Sequence, residues 1–358
     1  MHALHWFPGN FIAQIPAALI QVLSQPGDLV LDPFAGSATT AIEALKLGRR
    51  SIVSDRMSTS LLIGEAKLAL MQGALCRRER GKILALLAFE HECQSDRPGV
   101  MGEGTDPALR DWYAPGTLSQ LRYLWSIVEV QPTAARKVLS AIFSDVLFDC
   151  ASTGGAETRS GKTRRHHWGW IADNVRPKVL IEHNAIRLFA QRLALLDHIE
   201  TTASLTASYV MQQDAKQLAL PDASIDLVVT SPPYIGMIDY ASANRLLYSW
   251  MNWPMLQERQ DEIGARFRRK RRNAVLEYLT DMNAARDEIY RVLKPEALCA
   301  IVIGASRRFP SAVDALINSF AEQMPIAWGP KARAPTRRRV SDRSAKDSVE
   351  YVCVFRKP

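Results

Sequence analysis

The sequence predicts an α/β fold: a doubly wound, mostly parallel sheet interrupted by an inserted, mainly helical lobe. Three observations carry this. Short apolar runs of strand length recur in two blocks, one near each end of the chain. A helix-spaced segment follows the first run directly, and the stretch between the blocks changes to helical spacing. At 358 residues the chain exceeds one average domain, and 47% hydrophobic against 23% charged residues is the composition of a folded, soluble protein.

Residues 28–32 (DLVLD) are the first strand-like run, and the Pro-Phe-Ala-Gly stretch at 33–36 reads as a turn. Residues 39–47 then place apolar side chains at helical spacing, and 50–55 (RSIVSD) form a second buried-type strand. A strand, a helix and a strand in that order make a βαβ unit, whose strands lie parallel. The second block begins near residue 206 with ASYVMQQDA, then SIDLVVTSPPY, then ALCAIVIGA. A helix is predicted over 274–293, with Pro295 just beyond its end, and 350–355 (EYVCVF) is the last strand. Residues 1–75 and 206–358 are therefore expected to form two halves of one core. Residues 76–205 form the lobe, whose clearest helices are 117–128 and 134–148.

The five cysteines are scattered without a CxxC pair and read as reduced core residues; no His or Cys spacing suits a metal, so none is expected. No apolar run reaches the ~18–20 residues of a membrane span. The opening MHALHWFPGN lacks a signal-peptide pattern, so a cytoplasmic protein with no membrane association is expected.

Thr230 to Tyr234 (TSPPY) directly follow the strand-like IDLVV. That is the carboxyl end of a parallel strand, where open sheets hold ligands. Pro232 and Pro233 lack amide hydrogens and have fixed φ, so the carbonyls of Ser231 and Pro232 stand in a stiff turn and need donors. An exocyclic amino group on a base supplies such donors. Hydrogen bonds from it to a carbonyl and to the Ser231 hydroxyl favour the pyramidal nitrogen whose lone pair attacks a methyl group. Tyr234 would stack on the base, which must be unpaired or flipped out, and stacking returns ~1–3 kcal/mol. Alone, SPPY is also an ordinary strand-ending turn. A second motif, LDPFAGSATT at 31–40, has a glycine at the tight turn and small residues that let a ligand approach the backbone before a helix.

Together, DPFAGSATT and TSPPY resemble the methyl-donor and catalytic motifs of the S-adenosylmethionine-dependent DNA amino-methyltransferases, which form N4-methylcytosine or N6-methyladenine. The resemblance covers roughly residues 1–75 and 206–305 and implies a Rossmann-like, seven-stranded methyltransferase sheet. It implies Ser231, Pro232, Pro233 and Tyr234 as the catalytic centre. Asp32, Pro33, Phe34, Gly36, Ser37, Thr39 and Thr40 are implied at the methionine end of S-adenosylmethionine, Asp55 at its ribose and Asp214 at its adenine. Phe7 and Pro8, in a segment similar to the family's helix entry, would complete the donor site. Ala38 departs from the family's second glycine, and its methyl group is expected to narrow the pocket. Serine before PPY is more typical of the cytosine-N4 group. The lobe lies ahead of the Asp214 strand, an unusual order, and is expected to recognise the target sequence.

The net charge of +8 is concentrated in clusters at 159–167, 266–272 and 331–343. Arg164, Arg165, Arg268, Arg269, Lys270, Arg271, Arg337 and Arg338 are candidates for phosphate contact, six of the seven residues at 266–272 being cations. The implied substrate is double-stranded DNA with a flipped base, and a cognate restriction endonuclease is a candidate partner. Asp239 and Tyr240 are candidates for orienting the base. An adenine-N6 enzyme, an RNA amino-methyltransferase and a non-catalytic nucleic-acid-binding protein stay open as alternatives. Cytosine C5 methylation does not, because its thiolate usually follows a proline and no cysteine here does.

Overall fold

The computed structural model describes residues 1–2, 4–9, 11–93, 107–151, 168–199, 207–306, 308–334 and 349–358. In chain order the elements are α1 Gln14–Leu23, β1 Leu29–Asp32, α2 Thr39–Lys46, β2 Arg50–Asp55, α3 Ser58–Met71, α4 Arg77–Cys93, α5 Pro115–Glu129, α6 Thr133–Cys150, α7 Trp168–Ala172 and α8 Ala185–Leu195. There follow β3 Ser208–Gln212, β4 Ile225–Thr230, α9 Tyr240–Ala243, α10 Arg245–Met251, α11 Met255–Asp261, α12 Ala274–Val292, β5 Leu293–Gly304, α13 Ala312–Gln323, β6 Ile326–Arg333 and β7 Glu350–Arg356. They divide into two compact units. One holds residues 9–61, 204–239 and 258–358; the other holds 1–8, 62–203 and 240–257.

The first unit is built on a seven-stranded sheet in the order β3-β2-β1-β4-β5-β7-β6. β3, β2, β1, β4 and β5 pair in parallel, and β7 runs antiparallel to both neighbours. Central strands buried on both faces read as continuous apolar runs, which is why LVL and LVV were legible. Their side chains alternate with period two. Val30, Leu227, Val229 and Ala300 pack with Ile20 of α1 and Ala44 of α2. Leu31, Val228, Cys299 and Ile301 pack with Met282 and Ile289 of α12 and Phe320 of α13. Helices on both faces make this the doubly wound, Rossmann-like architecture expected.

The sequence reading needs three corrections. Pro295 does not merely follow a helix: β5 begins at once with Leu293, and the ladder jumps from Ile225↔Leu293 to Leu227↔Leu298. A proline cannot donate to the ladder, and the extra residues, with Glu296 at φ 63°, leave it as a bulge. β6 was not foreseen, because it is exposed at nearly every position and carries a Gly-Pro pair that reads as a turn; at the sheet edge a proline is tolerated. Cys76 is exposed, whereas Cys150, Cys299 and Cys353 are buried and free.

The helical unit closes around α5, α6 and α8, with Leu121, Leu124, Leu139, Phe143, Ile186 and Phe189 in its core. The first eight residues join it through buried polar contacts. His5 Nε2 meets Ser144 Oγ at 2.9 Å, and the Trp6 amide donates to Asp145 at 2.7 Å. The Trp6 ring stacks on Phe148, centroids 4.2 Å apart. Arg192 donates to the other Asp145 oxygen at 2.6 Å. No helix among the described residues is long and apolar enough to cross a membrane.

Burial lowers the His5 pKa from 6.5 to about 4. An unfolded histidine takes up a proton near 6.5 and folded His5 does not, so its contribution is intact above that pH and is lost as pH falls toward 4. Chemical denaturation of the wild type should show up to roughly 3 kcal/mol lost over that window. His5→Gln should flatten this part of the profile.

Candidate active site

The sheet's winding reverses between β1 and β4, so the carboxyl ends of these strands open side by side. Both sequence motifs begin there. Asp32 ends β1 and is 2% exposed. Its Oδ1 accepts from the Thr230 hydroxyl at 2.6 Å and the Phe34 amide at 3.1 Å, and its Oδ2 from the Thr40 hydroxyl at 2.6 Å. Burial raises its pKa, and these three bonds oppose the rise. Two motifs almost 200 residues apart therefore share one carboxylate.

The loop after Asp32 is held against β2. The Ala35 amide donates to the Ser54 carbonyl at 2.9 Å, and the Gly36 amide, at φ 50°, to Asp55 Oδ2 at 2.8 Å. Asp55 Oδ1 accepts from the Met57 amide at 2.9 Å. Desolvation pushes the Asp55 pKa up to about 6 against these two amide bonds. The carboxylate is half-buried and keeps lone pairs for further donors, which suits a vicinal diol. The Gln213 amide donates to the Asp55 carbonyl at 3.1 Å and so brings Asp214 alongside. Asp214 is part-exposed and accepts from the Lys216 amide at 2.9 Å.

Among the residues expected to line the donor, Pro33, Ser37, Thr39 and Thr40 are buried, while Phe34, Gly36, Asp55 and Asp214 retain exposed surface. Thr40 acts on Asp32 from within. Ala38 is fully buried, so its methyl group faces the packed interior and not an open pocket wall. What it introduces is a left-handed conformation, φ 57°, at the N-cap of α2. Phe7 and Pro8 lie in the helical unit, where Phe7 stacks on Tyr240 with centroids 5.6 Å apart.

The TSPPY turn is braced from several sides. The Tyr278 hydroxyl of α12 donates to the Pro233 carbonyl at 3.1 Å, and the Met237 amide to the Tyr234 carbonyl at 3.2 Å. Among the described residues no donor reaches the carbonyls of Ser231 and Pro232. The Tyr234 ring lies over Gly304 at the end of β5, where an added Cβ would sit 2.3 Å from Cε2 and 2.5 Å from Cδ2. Its hydroxyl donates to Glu350 Oε1 at 3.2 Å and lies 3.5 Å from Ser231 Oγ. Glu350 Oε2 meets Arg333 at 2.5 Å.

The cluster at 266–272 begins as a 3-10 turn, Arg266–Lys270, fastened by the Phe267 amide to buried Asp239 at 2.9 Å. Asp239 thus anchors this segment. The Arg259 guanidinium lies 4.3 Å from the Phe267 ring centroid. Arg268 faces Asp281 at 3.7 Å and Arg271 pairs with Glu277 at 2.9 Å; among the described residues Arg269 and Lys270 have no carboxylate partner. A cleft no larger than a water molecule, about 10 Å³, lies beside the turn and is lined by Gly236, Gly264, Arg268, Arg269, Glu277 and Tyr278, among others. Arg164, Arg165, Arg337 and Arg338 lie outside the described residues.

Nothing in the sequence marked Thr230 as a ligand of Asp32 or Tyr278, Gly304 and Glu350 as parts of the site, and Arg333 stood out only as one cation of the cluster at 331–343. Only Gly304, a glycine closing a buried strand, carried a local signal. Gly304→Ala should cost about 1–3 kcal/mol in denaturant unfolding through overpacking. In a Tyr234→Ala background the same change should be nearly neutral, a coupling that a double-mutant cycle reads directly.

A family model for DNA methylases matches residues 4–63, which contain the Asp32–Thr40 segment and Asp55. The type II methyltransferase M.MjaII of Methanocaldococcus jannaschii is 22% identical over 392 aligned positions, spanning 85% of this chain and 72% of that protein. A SAM-dependent methyltransferase of known structure from Methanosarcina mazei superposes with a TM-score of 0.37 at 10% identity, covering 95% of this chain and 96% of that one. The family match falls on the first βαβ unit and the archaeal relative aligns along most of the sequence, so the likeness of this chain is to DNA methylases.

Proposed function

We propose that this enzyme methylates the exocyclic N4 amino group of cytosine in duplex DNA, with the target base flipped out of the stack. The observation that carries the reading is the pair of carbonyls, Ser231 and Pro232, that no donor among the described residues reaches, in a turn whose next two carbonyls are satisfied. A base amino group has two hydrogens to give. One to the Pro232 carbonyl and one to Ser231 Oγ would draw the nitrogen out of conjugation, and the partly exposed Tyr234 ring would stack on the base. Serine at 231 favours cytosine N4 over adenine N6.

Asp55 would hold the donor's ribose hydroxyls and Asp214 its adenine, with the Phe34–Ser37 backbone along the methionine portion. The half-buried Asp55 carboxylate and the close-approach loop at Gly36 fit such a ligand. Bound there, S-adenosylmethionine supplies an electrophilic methyl group. Arg269 and Lys270 are the cations best placed by charge for phosphate, and Arg164, Arg165, Arg337 and Arg338 extend the same proposal. The segment 76–205 would read the target sequence, and a cognate restriction endonuclease is the partner this reading adds.

Sequencing for modified bases in DNA from expressing cells should reveal N4-methylcytosine in one sequence context. Paired Ser231→Ala and Tyr234→Ala substitutions should abolish it while S-adenosylmethionine still binds by calorimetry. N6-methyladenine in its place would overturn the base assignment, and methylation confined to RNA would overturn the substrate. Because the ribose needs the Asp55 carboxylate as an acceptor, donor affinity should be full above about pH 6 and fall about tenfold per unit below it. Asp55→Asn should bind weakly with that step removed.

A further inference from the structure

The hydroxyls at the catalytic turn form a chain with a fixed direction. Glu350, beside the Arg333 guanidinium at 2.5 Å, is a carboxylate and can only accept. The Tyr234 hydroxyl therefore gives its one proton to Glu350, at 3.2 Å. Toward Ser231 the Tyr234 oxygen can then only accept, and Ser231 Oγ donates to it at 3.5 Å. That last link is long, as catalytic hydrogen bonds often are before substrate arrives. Ser231 is left with lone pairs and no free proton. Glu350 opens β7 and Arg333 closes β6, and the two are register partners in the sheet. Their side chains are 18% and 23% exposed, so the pair is well shielded from solvent. Gly304 under the Tyr234 ring fixes the ring plane and with it the position of the hydroxyl.

Resting on the methyl-transfer reading above, we propose that Glu350 is a positioning residue that sets the direction of the Tyr234 and Ser231 hydroxyls. Ser231 then meets the target base solely as a hydrogen-bond acceptor. An exocyclic amino group satisfies such a site, whereas an exocyclic oxygen faces it lone pair to lone pair. The centre thereby rejects bases with a keto oxygen at the reacting position: uracil or thymine against cytosine, hypoxanthine against adenine. The selection does not depend on which amino base is the substrate.

Glutamine in place of Glu350 can donate an amide hydrogen to Tyr234, which reverses the chain and turns the Ser231 proton toward the base. The test uses matched duplexes whose target carries either the amino group or an oxygen at that position. The oxygen-bearing duplex competes for binding. Wild type should prefer the amino duplex by roughly tenfold to a hundredfold. Glu350→Gln should narrow that preference at least threefold, the Pro232 carbonyl still opposing a keto oxygen, and lower kcat at least tenfold, with KM for the donor unchanged. Glu350→Asp, which keeps an acceptor, should recover part of both. Tyr234→Phe, which keeps the ring and breaks the chain, should narrow the preference as well and serves if Glu350→Gln does not fold. A Glu350→Gln enzyme that binds donor and retains both preference and kcat within twofold overturns the proposal alone. A wild type that methylates no amino-bearing base overturns the methyl-transfer reading and this one with it.

Discussion

The unit built on the seven-stranded sheet depends on one buried carboxylate. Asp32 sits where the sheet changes its winding direction, and removing a carboxylate from water is costly unless its lone pairs are filled. They are filled by a threonine from α2, a threonine from β4 and an amide of its own loop. Those bonds fix three things at once: the start of the loop read as donor-binding, the first turn of the helix behind it, and the last strand residue before TSPPY. Substituting either threonine would leave a buried charge short of donors and loosen both motifs together.

From that point outward each layer restrains the next. The loop is tied to β2 through Gly36 and Asp55, and β2 to the Asp214 loop through Gln213. On the other side, the proline turn is tied to α12 by Tyr278 and, through Tyr234, to the edge of the sheet by Glu350 and Arg333. A turn restrained at both of its later carbonyls and at its aromatic ring leaves the earlier carbonyls in a defined position. Preorganisation of that kind acts before substrate arrives and so involves no rearrangement during reaction.

The sheet was legible in the sequence because its central strands are buried on both faces and therefore spell out LVL, IV and LVV without polar interruption. The two motifs were legible because each follows such a strand. What escaped is explained by distance and exposure. β6 is an edge strand with no core face to impose a pattern, and the Pro295 bulge is a matter of register, which a single strand does not encode. Tyr278, Arg333 and Glu350 act through pairings that join residues 45, 17 and 116 positions apart. Nothing local distinguishes them from other polar residues on helices and strand ends. Asp239 stands out in the sequence for its nearness to the proline turn, yet in the structure it holds Phe267, a neighbour visible only in three dimensions.

The separation of Asp32 from Thr230 also bears on how the chain is made. Ribosomes add about 5–20 residues per second, so β1 and its aspartate wait on the order of 10–40 s for the strand that completes their surroundings. Until then the carboxylate cannot be enclosed, and β1 can pair only with β2. The helical unit faces a similar delay, since Phe7 near its start stacks on Tyr240. Such non-local closure favours slow folding and prolonged exposure of apolar strand edges during synthesis. The arrangement that shares one aspartate between two distant motifs thus ties completion of the first strand's surroundings to the synthesis of a strand almost 200 residues later.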